Sequence, residues 1–155
     1  PPVIGTRQDN DPAIWQGEHL ELLIETDKHS YYQIVVNPAG ALIELDRGVA
    51  RAQWYDWSSQ AEAAAHVGEG FWSVELRLPV TTSDEDLLHQ ITGSQPFQAK
   101  ADALASGKGT SLPWYFNLYR KRAGTDAVET TAFSPLGPDA KNFHLPLKFA
   151  EIYVR

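Results

Sequence analysis

The chain has 155 residues, 43% of them hydrophobic and 11% aromatic, with five Trp, no Cys and no Met. That length suits one domain with its own core, and the lack of Cys removes disulfide scaffolds, thiolate metal sites and cysteine nucleophiles. A net charge of −7 repels phosphate, so neither nucleic acid nor an anionic membrane is an expected partner, and no apolar run is long enough to span a bilayer.

In chain order, residues 1–17 are polar and punctuated by Pro1, Pro2, Gly5, Pro12 and Gly17, which reads as an extended lead-in. The start at Pro1-Pro2, without Met, reads as a processed chain or a piece of a larger protein. From His19 to Glu25 the pattern has period two: Leu20, Leu22 and Ile24 share one face, His19, Glu21 and Glu25 the other, as in a half-buried strand. Residues 26–30 read as a turn and Tyr31 to Val36 as a second strand. Asn37-Pro38-Ala39-Gly40 has turn chemistry, and Ala41 to Leu45 returns to complete a meander.

Residues 49–67 read as one or two strands, although Ala61 to Ala65 also fits a short helix. The odd spacing of Trp54 and Trp57 keeps them off one face of a regular strand. Phe71 to Leu78 is the clearest strand, with Trp72, Val74, Leu76 and Leu78 in phase, and Pro79 ends it. Ser83 to Ile91 reads as an N-capped helical turn inside a long, partly irregular connection at about 81–112. Strands resume at Trp114 to Arg120, Val128 to Phe133 and Phe149 to Val154. Many short strands with polar turns predict an all-β fold, an antiparallel β-sandwich of jelly-roll or immunoglobulin-like type, as a single domain over 1–155.

Several of these segments, in this order, resemble family 9 carbohydrate-binding modules and the wider DOMON-like group. The resemblance rests on a Trp-rich approach to an acidic strand (Ile14 to Glu21), a Tyr-Tyr strand entering an Asn-Pro-x-Gly turn (Tyr31 to Gly40), and Trp72-Ser73-Val74-Glu75-Leu76-Arg77-Leu78-Pro79. It continues with Trp114-Tyr115-Phe116-Asn117-Leu118-Tyr119-Arg120, the aromatic-Ser-Pro step Phe133-Ser134-Pro135, and Phe143 through Phe149. Together they span about 135 residues. Two departures stand out: relatives begin with several strands that have no counterpart here, and they often carry Trp where this chain has Phe133. The missing strands would come from an N-terminal segment or a second chain, a homodimer partner included, pairing at a sheet edge.

The resemblance implies a non-catalytic carbohydrate-binding domain, an accessory part of a larger bacterial protein that is secreted, periplasmic or on the cell surface. It further implies two aromatic rings clamping a sugar above charged and amide groups. Trp15 is the first ring. Phe143 is the second, with His144 the alternative; Glu21 accepts from hydroxyls, and Arg120 and Asn142 donate. Sugar chemistry suits such a set, because apolar C–H faces stack on aromatic planes while hydroxyls need carboxylate, amide or guanidinium partners.

Plainer readings stand beside these. Trp72 and Trp114 lie within strong strands and read as core, Trp15 divides evenly between core and site, and Glu21 reads more readily as a solvated strand residue. Glu75 reads as a structural bridge to Arg77 or Arg120, and His144 as a loop hydrogen-bonding residue. No Gly-x-Ser-x-Gly elbow, His-Glu-x-x-His or phosphate loop is present, so no enzyme is expected. A weaker third reading is a glycan hydrolase acting through Glu21 or Glu75. No cofactor is expected: without Met, the Met–His haem ligation of some DOMON relatives cannot form. A structural calcium ion is within the chemistry of Asp9, Asp11, Glu18 and the run Asp84-Glu85-Asp86. The alternative function is protein assembly on the same fold, with sugar binding lost.

Overall fold

Period-two patterning becomes eight strands in the computed structural model, which describes residues 5–26, 29–78, 114–123 and 128–152. They are β1 (His19–Thr26), β2 (His29–Val36), β3 (Leu42–Asp46), β4 (Glu62–Val67), β5 (Trp72–Arg77), β6 (Trp114–Ala123), β7 (Val128–Ala132) and β8 (Ala150–Ile152). The helical content of the described residues is three short 3₁₀ turns, Pro12–Gln16, Arg51–Asp56 and Pro146–Lys148. All pairings among the described residues are antiparallel. The large sheet runs β3-β2-β1-β6-β7, with β8 also pairing β6, and β4 and β5 form a separate hairpin sheet. The fold is all-β and sandwich-like.

The meander β1-β2-β3 closes as its turn chemistry requires. Gly40 takes φ +82° and its N–H donates to Asn37 O at 2.9 Å. Asn37 is fully buried: its Oδ1 accepts from the N–H groups of Ala39 and Ala41, and its Nδ2 donates to Thr6 O at 2.7 Å. One amide side chain thus ties the turn to the lead-in segment. At the β3 edge, Asn10 N donates to Leu42 O and Leu42 N to Asp9 Oδ1, both at 2.8 Å.

In register, Leu22 lies between Ile34 and Leu118, and Glu21 between Val35 and Tyr119. Each strand therefore sends one set of side chains to each face of the large sheet. On the first face Ile24, Tyr32, Ile34 and Trp57 form a core cluster, joined by Leu76 and Leu78 from the hairpin. Tyr32 stacks on Trp57 with centroids 4.3 Å apart. A cavity of about 320 Å³ lies beside it, between Leu20, Leu22, Ile34 and Leu118 of the large sheet and Val74 and Leu76 of the hairpin. The second face carries two further clusters. Ile14, Val35, Ile43 and Leu45 pack with Trp15 and Trp54; Leu23, Tyr31, Tyr119 and Phe149 pack with Leu136 and Phe143.

Several expectations change in detail. Of the turn expected over 26–30, residues 26, 29 and 30 belong to strands, since β1 runs to Thr26 and β2 starts at His29. Residues 49–67 hold a 3₁₀ turn and a single strand. Trp54 lies within that turn while Trp57, just past it, has ψ 142°, so the chain rounds the β3 edge and places the two rings against opposite faces. Trp72 is half-buried and donates Nε1–H to Glu18 at 2.8 Å. Arg77 pairs with Glu62 across the hairpin at 3.1 Å rather than with Glu75, because the two sit in register on one exposed face. The side chain of Trp114, the helical turn at 83–91 and the connection at 81–112 lie outside the described residues.

Candidate functional site

The second face of the large sheet holds a strip of polar side chains between its two apolar clusters. Glu21 is at its centre, only 3% exposed. Its Oε1 is 3.1 Å from His19 Nε2, and its Oε2 accepts a short hydrogen bond from Gln33 Nε2. His19 Nδ1 lies 3.1 Å from Gly17 O, which orients the ring. Gln33 Oε1 accepts from Arg47 Nε at 2.6 Å. The Arg47 guanidinium lies 3.9 Å above the Trp54 ring, and Arg51 is 5.6 Å from the same ring. A carboxyl group inside a sheet face is tolerable only when its oxygens find hydrogen-bond partners, and here both do.

Aromatic groups border this strip. Trp15, half-buried, meets His19 edge-on at 5.4 Å, and Lys121 Nζ donates to Trp15 O at 2.6 Å, pinning the approach segment. On the other side Tyr31 and His144 stack at 5.9 Å and share a hydrogen bond of 2.8 Å between the phenol oxygen and Nδ1. Phe143 packs 4.7 Å from Tyr119 and 4.6 Å from His144.

Burial sets the titration of these groups. It holds His144 below the usual imidazole range, with the Arg47 charge adding to the effect and Glu21 opposing it. Burial raises the Tyr31 hydroxyl, and it pushes Tyr119 up to about 12, so both remain protonated donors. Arg47 is lowered from its ordinary value, chiefly by burial; the Glu21 charge opposes this, and Arg51 adds a smaller push in the same direction as burial.

Of the site residues expected from the sequence, Trp15, Glu21, Phe143 and His144 all belong to this face, with Trp15 and Phe143 over different clusters. Glu21 is not a solvated strand residue: the clusters on either side bury it, and it bonds to His19 and Gln33. Arg120 is not brought to the strip. It alternates with Tyr119 along β6, sits opposite Leu20 and Thr131, and is exposed on the other face. Asn142 is exposed and its Oδ1 accepts from His144 N at 3.0 Å, which makes it a turn residue positioning His144. Arg47, Gln33, His19 and Tyr31 were not picked out. Arg47 follows directly on β3, and the one available signal was an Arg closing a strand shortly before a Trp-rich stretch.

The acidic residues considered for calcium are otherwise engaged. Asp9 holds the Leu42 amide, Asp11 caps the first 3₁₀ turn and accepts from Thr6, and Glu18 accepts from Trp72. Among the described residues no three acidic or histidine side chains gather to hold a metal, and Asp84-Glu85-Asp86 lies outside them. No helix of the described residues is long and apolar enough to cross a membrane.

No protein-family model matches the chain, and no curated protein sequence does. Among solved structures, the chain is similar to a "putative carbohydrate-binding protein" from Bacteroides uniformis, with TM-score 0.61 and 18% identity. The match covers 98% of this chain but only 66% of that one, so the chain spans just under two thirds of its structural neighbour's length. At that identity the likeness carries the fold.

Proposed function

We propose that this domain binds carbohydrate without catalysis, on the second face of its large sheet, as an accessory domain of a secreted protein. The observation that carries the reading is the polar strip His19–Glu21–Gln33–Arg47 bordered by Trp15, Trp54, Tyr31 and Phe143. Ring faces would accept the C–H surface of a sugar, while the Arg47 guanidinium and the Tyr31 and His144 polar atoms would meet its hydroxyls. Glu21 acts through Gln33, fixing the group that fixes Arg47. The resemblance to family 9 modules at Trp15, Glu21 and Phe143, and the description of the structural neighbour, point the same way. Titration with cellobiose, xylobiose and other short oligosaccharides, followed by Trp fluorescence and calorimetry, tests it. A saturable response that Trp15→Ala weakens at least ~10-fold is expected, a loss of about 1.4 kcal/mol. Silence towards every sugar overturns the reading.

A second reading, assembly through the other face, is favoured by one observation. Phe133 is 64% and Leu118 37% exposed, and Phe133 stacks on Phe116 at 5.2 Å. Sedimentation at rising concentration, with Phe133→Ser as control, tests it: a monomer throughout sinks it.

A further inference from the structure

We propose, resting on the carbohydrate reading, that the sugar taken here is anionic, and that the Arg47 guanidinium, backed by Arg51, receives its charged group. Arg47 is held in place from three sides. Its backbone N–H donates to Tyr31 O at 3.0 Å, its Nε donates to Gln33 at 2.6 Å, and its guanidinium plane rests on Trp54 at 3.9 Å. Those contacts use the Nε edge and one face, and leave the terminal fork of two nitrogens. That fork matches two oxygens of a carboxylate or a sulfate ester, whereas a lone hydroxyl fills half of it.

The charge balance is the second observation. The described ion pairs are His19–Glu21, Arg77–Glu62 and Arg122–Glu129, and neither Arg47 nor Arg51 belongs to one. The carboxylate that shares the strip, Glu21, has both oxygens engaged by His19 and Gln33. Among the described residues two arginines thus meet at one tryptophan with no carboxylate in an ion pair with either, although the Glu21 charge reaches Arg47. Partial burial is the main cost to the Arg47 charge, and repulsion from the exposed Arg51 adds a smaller one. An incoming anion would relieve both costs; a neutral sugar relieves neither. Tyr31 and Tyr55, close enough to bear on Arg47, supply hydroxyls around the same position.

The test is titration of the intact domain with matched pairs: galactobiose against digalacturonate, and a neutral against a sulfated disaccharide. The anionic member is expected to bind ~10-fold or more tightly at about 10 mM salt, with the advantage shrinking towards about 500 mM. Whichever anionic member binds more tightly identifies carboxylate or sulfate as the group received. Arg47→Lys keeps the charge and loses the fork, so it should cut the anionic-to-neutral ratio at least ~5-fold. Arg51→Gln, on an exposed turn, should lower the ratio more modestly in a protein that still folds. Equal affinity for neutral and anionic members overturns this inference and leaves the carbohydrate reading standing. Binding of neither overturns both.

Discussion

The two faces of the large sheet invert the usual relation between polarity and burial. On β1, Leu20 and Leu22 point towards the hairpin and are only partly buried, whereas His19 and Glu21 on the other side are almost wholly enclosed. The first face is covered along part of its width by a two-stranded hairpin; the second is covered by the 3₁₀ turn at Pro12–Gln16, by Trp54 and by the segment from Leu136 to Phe149. Burial in this molecule follows the covering segment and not the hydropathy of the strand. The charged strip survives because its donors and acceptors are matched within the sheet.

The contrast can be broken most sharply at its apolar end. Trp57→Ala removes the ring stacked on Tyr32 and should cost about 3–5 kcal/mol by urea unfolding, as large-to-small changes in packed cores do. Sugar affinity per folded molecule should change little, because Trp57 lies across the sheet from the strip. Glu21→Ala comes next, at about 3 kcal/mol, since it leaves His19 and Gln33 without their shared partner in a buried setting. Unlike the tryptophan change, it should also weaken binding, through the loss of Arg47 positioning.

A smaller effect belongs to His144. Its folded-state value lies below the ordinary 6.5, so the unfolded chain protonates first as pH falls. Stability present above about 6.5 is then lost as pH drops through the lowered folded value. Denaturation midpoints between pH ~7.5 and ~5 should show this slope, and His144→Gln should flatten it. The smallest effect is expected at Glu62→Gln. The bridge to Arg77 joins side chains 71% and 73% exposed, and its loss should stay within about 0.5 kcal/mol. A larger value would mean that the hairpin depends on more than its apolar face.

Much of the fold was legible in the sequence, because period-two patterning and turn chemistry are local. The strands at Leu20 to Ile24, Tyr31 to Val36 and Trp72 to Arg77, and the Asn37 to Gly40 turn, all follow from neighbours in the chain. The strip was less legible. Alternation says that His19 and Glu21 share a face but not that the face is covered, and the partners that hold Glu21 and Arg47 lie 12 and 14 residues away. Arg120 shows the same limit from the other side. Its motif position suggested a role, but one step of alternation from Tyr119 sends it to the opposite face. The odd spacing of Trp54 and Trp57 was visible too, yet it recorded a chain rounding an edge rather than the two faces of one regular strand.

That rounding, with the lead-in bonded to Leu42, has a consequence for how the domain can grow. Exposed sheet edges template further strands. At β3 the first outward amide and carbonyl are already taken by Asp9 and Asn10, and the chain from Trp54 to Trp57 straps over both faces. A strand arriving there would first have to peel the strap away. Open-ended stacking of one domain upon the next needs two usable edges, and the bonds already made at Leu42 hinder the one at β3.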